Sequence, residues 1–468
     1  MNCRLNLPKT RSAAYNFTAR IMKIKSPLAI QIGAAAAEFT PALGLTLLGQ
    51  MHKRIARSKR DALTANAIAF RQGSGSVVLV SVDLCILPDS FVRQTQQLFA
   101  QRTGLPAACL LLHSTHTHVA PSVFPLLTAQ ADPRFVSAVQ TAILHAATRA
   151  VHKLAPGEIF SGTGSMEHMG WNRRAMFKDG SSRMYSSSTD KAFIGLEGPR
   201  DPALPVLWVQ DAKGTIQAIV VNFATHPNCL ADESIYSADL PGEVRRQLQA
   251  TFGPKVVVVY LTGAAGNTAP KILDPLDPTQ PWLGETGIRR SGLYLASEVG
   301  KVMAGTTRPM TTPLLRLKQA VVNIPIRPWP KPGARIDPFP WLTEFPHHRK
   351  YYEAAKANWP QIIAAESPVC VTLNVIRIGD TALCTNSAEL FVEFGLQIRQ
   401  KTPARVTFIS ELTDGYVGYV PTLKAYRRGG YETWPAPTSK LAPSAGGKIV
   451  ATTAMLLQQA FAESAARA

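Results

Sequence analysis

Short apolar runs alternate with amphipathic stretches along this chain. Runs of four to eight apolar residues, rich in β-branched types and closed by polar or turn residues, are the pattern of buried strands. They fall at residues 77–82, 109–112, 216–223, 256–261, 371–378 and 406–409. A further run covers 381–385. Helical spacing appears between them. The clearest helix starts at Asp132-Pro133, an N-cap acid followed by proline at the first helical position. Phe135, Val136, Val139, Ile143, Leu144, Ala147 and Val151 then return on one face. Other helices are predicted over 242–250 and 447–465. Strands and helices mixed throughout predict an α/β (mixed α+β) fold. One large domain with mixed sheets and flanking helices is expected over residues 29–468. The Pro-rich stretch at about 325–346 reads as an insertion within it, because candidate site residues lie on both sides.

Polar residues gather where the apolar runs stop. The run 109–112 leads into His113-Ser114-Thr115-His116-Thr117-His118, with three of the chain's ten histidines. The run 216–223 ends in Ala224-Thr225-His226-Pro227, 381–385 in Asn386-Ser387-Ala388-Glu389, and 406–409 in Ser410-Glu411 and on to Tyr416. Open α/β sheets place their chemistry at such strand ends. In an extended segment, residues two apart point to one side. His116 and His118 are therefore expected to face one cavity, as zinc or another borderline metal requires. Each residue also has a plainer reading. The paired histidines suit a hydrogen-bonded polar loop, His226 a turn, and Glu389 an acid at a helix N-terminus. Tyr416 and Tyr419, set among Val417 and Val420, read as two tyrosines on one strand face. The segment 263–266 lacks the lysine and spacing of a phosphate loop, so nucleotide binding is set aside.

Composition narrows the class. An apolar fraction of 46% suits a globular protein. The six cysteines are scattered, without a C-x-x-C pair, and read as reduced thiols. No apolar run is long enough for a spanning helix. Residues 1–28 are basic and without a clear cleavage signal, so they read as a disordered leader and the chain as cytoplasmic. The net charge of +19 fits nucleic acid, an anionic membrane surface or an acidic substrate. The dense stretch 52–60 comes with no nucleic-acid-binding signature, so nucleic acid is set aside and peripheral contact with an anionic membrane retained.

Taken in order, several segments resemble the neutral/alkaline (non-lysosomal) ceramidase family. They are Thr115-His116-Thr117-His118 with Pro121, Asn172-Arg173, Thr225-His226-Pro227, the run from Gly263 to Pro270, and the run from Tyr416 to Thr422. The segment 33–44, with Phe39-Thr40-Pro41, is similar to the opening strand of that catalytic domain, and 425–432 to a motif near its end. The resemblance implies a zinc-dependent amidase that cleaves the N-acyl bond of ceramide to a sphingoid base and a fatty acid. It implies zinc ligands at His116, His226, Glu389 and Tyr416. It also places His118, Arg173 and Tyr426 among residues that line the reacting amide, where their chemistry suits His118 to shuttle the proton and Arg173 and Tyr426 to donate to the oxyanion.

Three departures stand out. Val119-Ala120-Pro121-Ser122 replaces the Gly-rich continuation of the family, and Ala269 stands where some members carry a proposed serine nucleophile. No room is expected for the family's C-terminal immunoglobulin-like domain. Zinc-activated water needs no serine nucleophile, so the expected function is a zinc-dependent hydrolase of an amide bond in a small-molecule or lipid N-acyl amide. Two alternatives stay open: a zinc-binding protein on the same fold without catalysis, and a metallo-esterase with a non-lipid substrate.

Overall fold

A computed structural model of the chain describes residues 29–462 apart from 185–189, 271–281, 312 and 344–347. The leader expected over 1–28 lies outside the described residues, as do the last residues of the final predicted helix and the end of the Pro-rich stretch.

The larger sheet holds eight strands: β1 (Gln31–Glu38), β2 (Thr64–Gln72), β3 (Gly75–Val82), β4 (Leu110–Ser114), β5 (Ala155–Ser165), β6 (Ala203–Asp211), β7 (Ile216–Phe223) and β8 (Val257–Thr262). Across the sheet they run β8-β7-β6-β5-β1-β2-β3-β4. The smaller sheet runs β9 (Leu315–Ile324), β10 (Val369–Ile378), β11 (Thr381–Thr385) and β12 (Val406–Ser410) in chain order. Pairing in both is antiparallel except for β3 with β4, β7 with β8 and β11 with β12. The strand expected from residue 109 starts one residue later, because Cys109 closes a short 3-10 turn. The segment 325–368 leaves the smaller sheet after β9 and re-enters it at β10, which pairs with β9 in register from end to end.

Strand alternation sorts side chains into layers. Leu79, Leu111, Val220 and Val259 of the larger sheet pack against Ile376, Leu383 and Phe408 of the smaller one, forming an inner core. The outer faces carry helices. Val78, Val80, Leu110 and Leu112 lie under α1 (Asp89–Thr103) and α2 (Pro133–His152). Trp208, Ile219 and Tyr260 lie under α3 (Asp239–Phe252) and α4 (Gly284–Gly305). The smaller sheet is covered by α5 (Arg349–Glu366), α6 (Val392–Gln400) and α8 (Ala445–Phe461), with the short α7 (Leu423–Arg428) at its margin. As the sequence predicts, Asp132 caps α2: its carboxylate accepts from the amides of Arg134 at 2.8 Å and Phe135 at 3.1 Å.

The two ends of the larger sheet come together. The Ser81 hydroxyl on β3 donates to the Tyr260 carbonyl on β8 at 2.6 Å. Asn222 on β7 ties in the smaller sheet, accepting from the Ile409 amide at 3.0 Å and donating to the Ile409 carbonyl at 2.8 Å. The carboxyl ends of all three parallel pairs therefore meet in one place, which is where sheets of this kind bind ligands. His113 sits in that junction. Its Nδ1 faces the Glu411 carbonyl at 2.9 Å, and its Nε2 accepts from the Thr262 amide at 3.0 Å.

Burial pushes the His113 pKa down to about 3. The fold thus prefers the neutral ring. Below the unfolded value of about 6.5 the unfolded chain binds the extra proton and the fold does not, so stability falls as pH drops from 6.5 towards 3. His113→Gln is expected to flatten that acid slope by up to one proton, read from urea unfolding at several pH values. An unchanged slope would show that His113 does not control it.

Candidate metal centre

Three loops deliver the centre. β4 ends at Ser114, and His116 then adopts φ 71°. The two histidines therefore do not converge by strand alternation, as the sequence reading had it. A left-handed residue turns the chain, and its strain of order 1–3 kcal/mol is held by the surroundings. The His116 amide donates to the Leu84 carbonyl at 2.8 Å, and its Nδ1 lies 2.8 Å from the Cys85 carbonyl. A carbonyl only accepts, so Nδ1 carries a proton, and in the neutral ring Nε2 keeps its lone pair. His226 follows β7 and repeats this logic, with Nδ1 2.6 Å from the Ala265 carbonyl. Glu389 begins a two-residue strand paired in parallel with Tyr419–Val420. Gly266 lets these loops approach: a Cβ there would come within 2.5 Å of the Glu389 carbonyl oxygen.

The donor atoms converge. Glu389 Oε2 lies 3.5 Å from His116 Nε2 and 3.4 Å from His226 Nε2. A tetrahedral ion with bonds of about 2.0–2.2 Å separates its ligand atoms by about 3.3–3.6 Å. The three residues are buried, and Glu389 Oε2 and His226 Nε2 have no hydrogen-bond partner. An unpartnered imidazole nitrogen, an orphaned carboxylate oxygen and a second imidazole nitrogen aimed at the same point fit a metal ion.

The charges around His226 and Glu389 agree with this, while those around His116 favour its protonated ring. Burial, and then the Arg173 charge, bring the His226 pKa down to about 3, so its ring is neutral. Burial would raise the Glu389 carboxyl, but the two histidines outweigh it and hold it well below the usual carboxylate range. Burial followed by the neighbouring His116 and His226 lowers His118 well below 6.5. For His116, burial is outweighed by the Cys85 thiol and Glu389, which raise its pKa.

His118 stands beside the trio. Its Nε2 is 3.4 Å from His116 Nε2, and its Nδ1 has no partner. Its place depends on Gly49, where a Cβ would lie 2.5 Å from the His118 ring. A cavity opens over the centre. Its polar side holds His116, His118, Glu389 and the tyrosines 416, 419 and 431, and its apolar side holds Leu48, Ile86, Leu126 and Leu127.

No protein-family model matches the chain, and no curated protein sequence matches it. Solved structures do. The neutral ceramidase from Pseudomonas aeruginosa aligns with a TM-score of 0.71 at 19% identity, over 92% of this chain and 74% of that one. The fold is that of the neutral ceramidases. A second structure, a ceramidase complexed with C2, aligns with the same TM-score of 0.71 at 17% identity, over 92% of this chain and 75% of that one.

Within this ceramidase fold the expected site residues separate. His116, His118, His226 and Glu389 come together. Tyr416 joins them through Glu389, donating to its Oε1 at 2.7 Å. It precedes the strand rather than sharing a face of it with Tyr419, because only Tyr419–Val420 is extended there and Gly415 and Gly418 turn the chain at positive φ. Arg173 is buried, with Nε on Glu432 at 2.9 Å and Nη2 on the Tyr419 hydroxyl at 3.1 Å. Tyr426 is not brought to the cavity. Its hydroxyl donates to the Leu441 carbonyl at 3.3 Å and its ring lies under Arg327. Tyr419, whose ring stacks on His226 at 6.5 Å, and Tyr431 occupy the wall instead. The sequence reading names Glu411 at a strand end but gives it no role. Its Oε2 accepts from the amides of Ala265 at 3.1 Å and Leu390 at 2.9 Å, clamping the loops that hold His226 and Glu389. A buried acid at a strand end was its only sequence signal.

If Tyr416 acts by orienting Glu389, Tyr416→Phe should weaken zinc binding about 10–100-fold, read by competition with a chromophoric chelator. Complete loss of binding would place Tyr416 among the ligands themselves.

Proposed function

We propose that the protein hydrolyses the amide bond of an N-acyl amine at this centre, with zinc held by His116, His226 and Glu389. The convergence of His116 Nε2 and the unpartnered His226 Nε2 on the unpartnered Glu389 Oε2 carries this reading. The ceramidase fold supports it, since the structures that share it are described as ceramidases.

When bound, zinc acts as a Lewis acid and lowers the pKa of water to about 7 in well-studied sites. The residues around it have separable tasks. Glu389 supplies the one anionic donor, and Tyr416 fixes its carboxylate. Water adds to the carbonyl carbon, the C–N bond breaks, and the amine must leave with a proton. His118 is buried and neutral, lines the cavity, and has an unpartnered Nδ1, so it can take the proton from water and pass it to the amine. Arg173 donates to the Tyr419 oxygen, which leaves the phenol's own proton to donate into the cavity. Tyr419, backed by the Arg173 charge, is thus placed to stabilise the oxyanion. The salt bridge from Arg173 to Glu432 and those from Arg174 to Glu432 and Glu197 hold that charge in position. Tyr426 takes no part in this scheme, and Ala269 removes nothing that it needs.

A net charge of +19 favours docking on an anionic lipid surface, where each nearby basic side chain contributes about 1 kcal/mol. Among the described residues no helix is long and apolar enough to cross a membrane.

The test is hydrolysis of a panel of N-acyl amides, ceramides and matched esters by the full chain. Chelation should abolish amide cleavage and zinc should restore it. His118→Ala should lower kcat about 10²–10⁴-fold while zinc content stays the same. Amide cleavage that survives metal removal would defeat the proposal. Cleavage of esters alone would favour the metallo-esterase.

A further inference from the structure

The cavity over the centre is small. Its empty volume is about 340 Å³, including the space open to solvent at its mouth. At about 30 Å³ per heavy atom, the share of one water in the liquid, it encloses at most about eleven heavy atoms. Two long hydrocarbon chains do not fit within it.

The apolar wall explains the limit. Leu126 and Leu127 reach the cavity from a tight hairpin closed by two hydrogen bonds, Leu126 amide to Ala129 carbonyl at 3.3 Å and Ala129 amide to Leu126 carbonyl at 3.0 Å. The hairpin is pinned to the domain: the Gln130 amide donates to the Thr46 hydroxyl at 2.9 Å, and Ser122 bridges to Ala131. Packed with it, Leu48, Ile86, Ala129 and Leu412 belong to one buried cluster, none more than 3% exposed. An acyl chain entering from the centre therefore meets packed side chains rather than a channel.

We propose that the substrate is an amide of a short acyl group, about eight carbons at most, and that the 126–129 hairpin sets this length. The proposal rests on the amidase reading above. Acyl carbons lie against Leu48, Ile86, Leu126 and Leu127, with the carbonyl at the centre and the amine towards the mouth. Leu127 adopts φ 54°, a conformation that glycine takes without strain. Leu127→Gly therefore keeps the hairpin while removing its side chain from the wall.

The experiment measures binding of straight-chain hydroxamic acids, from acetyl to lauroyl, to the zinc-loaded full chain by calorimetry. Affinity should rise about fourfold per methylene while the chain is still being buried, and stop rising by about the octanoyl member. In Leu127→Gly the rise should continue about three methylenes further, with Leu126→Ala as a second enlargement. A rise through lauroyl in the wild type, no binding of any member, or the same stopping length in both variants would overturn the proposal. N-acyl amides of one amine with the same chain lengths are assayed in parallel. If the hydroxamates stop as expected and no amide is cleaved, the length limit stands and the hydrolytic reading fails.

Discussion

An ionised carboxylate inside a protein is tolerated where opposite charge or hydrogen bonds compensate it. At Glu389 this is met for one oxygen and not the other. Oε1 accepts from Tyr416, while Oε2 faces two imidazole nitrogens whose protons have been drawn to the far side of each ring. That deliberate mismatch organises the surroundings. The Cys85 and Ala265 carbonyls orient both rings, and a bound cation would resolve the frustration that they create.

The fold exists, in this sense, to hold those carbonyls and rings still. Three parallel strand pairs end together, and their loops are stitched by backbone bonds and by buried side chains. Glu411 joins the 265 and 390 amides, and Gly266 packs directly on Glu389. His116 accepts a left-handed conformation because the Leu84 and Cys85 carbonyls both hold it. Rotating one ring by a single hydrogen bond would point its lone pair away from the centre.

Much of the architecture is legible in the sequence. Apolar runs with polar ends mark buried strands, because burial on both faces leaves little freedom in composition, and the Asp132-Pro133 cap marks α2 by local chemistry alone. His116, His226 and Glu389 are legible for the related reason that each stands just past such a run. The tyrosines are not. Tyr416, Tyr419, Tyr426 and Tyr431 are equally plausible by residue type, and only the turns at Gly415, Gly418, Gly429 and Gly430 decide which of them reach the cavity. The role of Gly49 is equally silent, since its contact with His118 is made across 69 residues by folding alone.

The central claim is that this frustrated carboxylate is a metal site. X-ray absorption at the zinc edge, on full-length protein purified without a histidine tag and with elemental analysis of the same sample, tests it most directly. The account predicts about one zinc per chain, with nitrogen and oxygen ligands only and the outer-shell scattering of two imidazoles. A protein that holds no zinc and takes none up, or zinc bound by sulfur from Cys85, would contradict it.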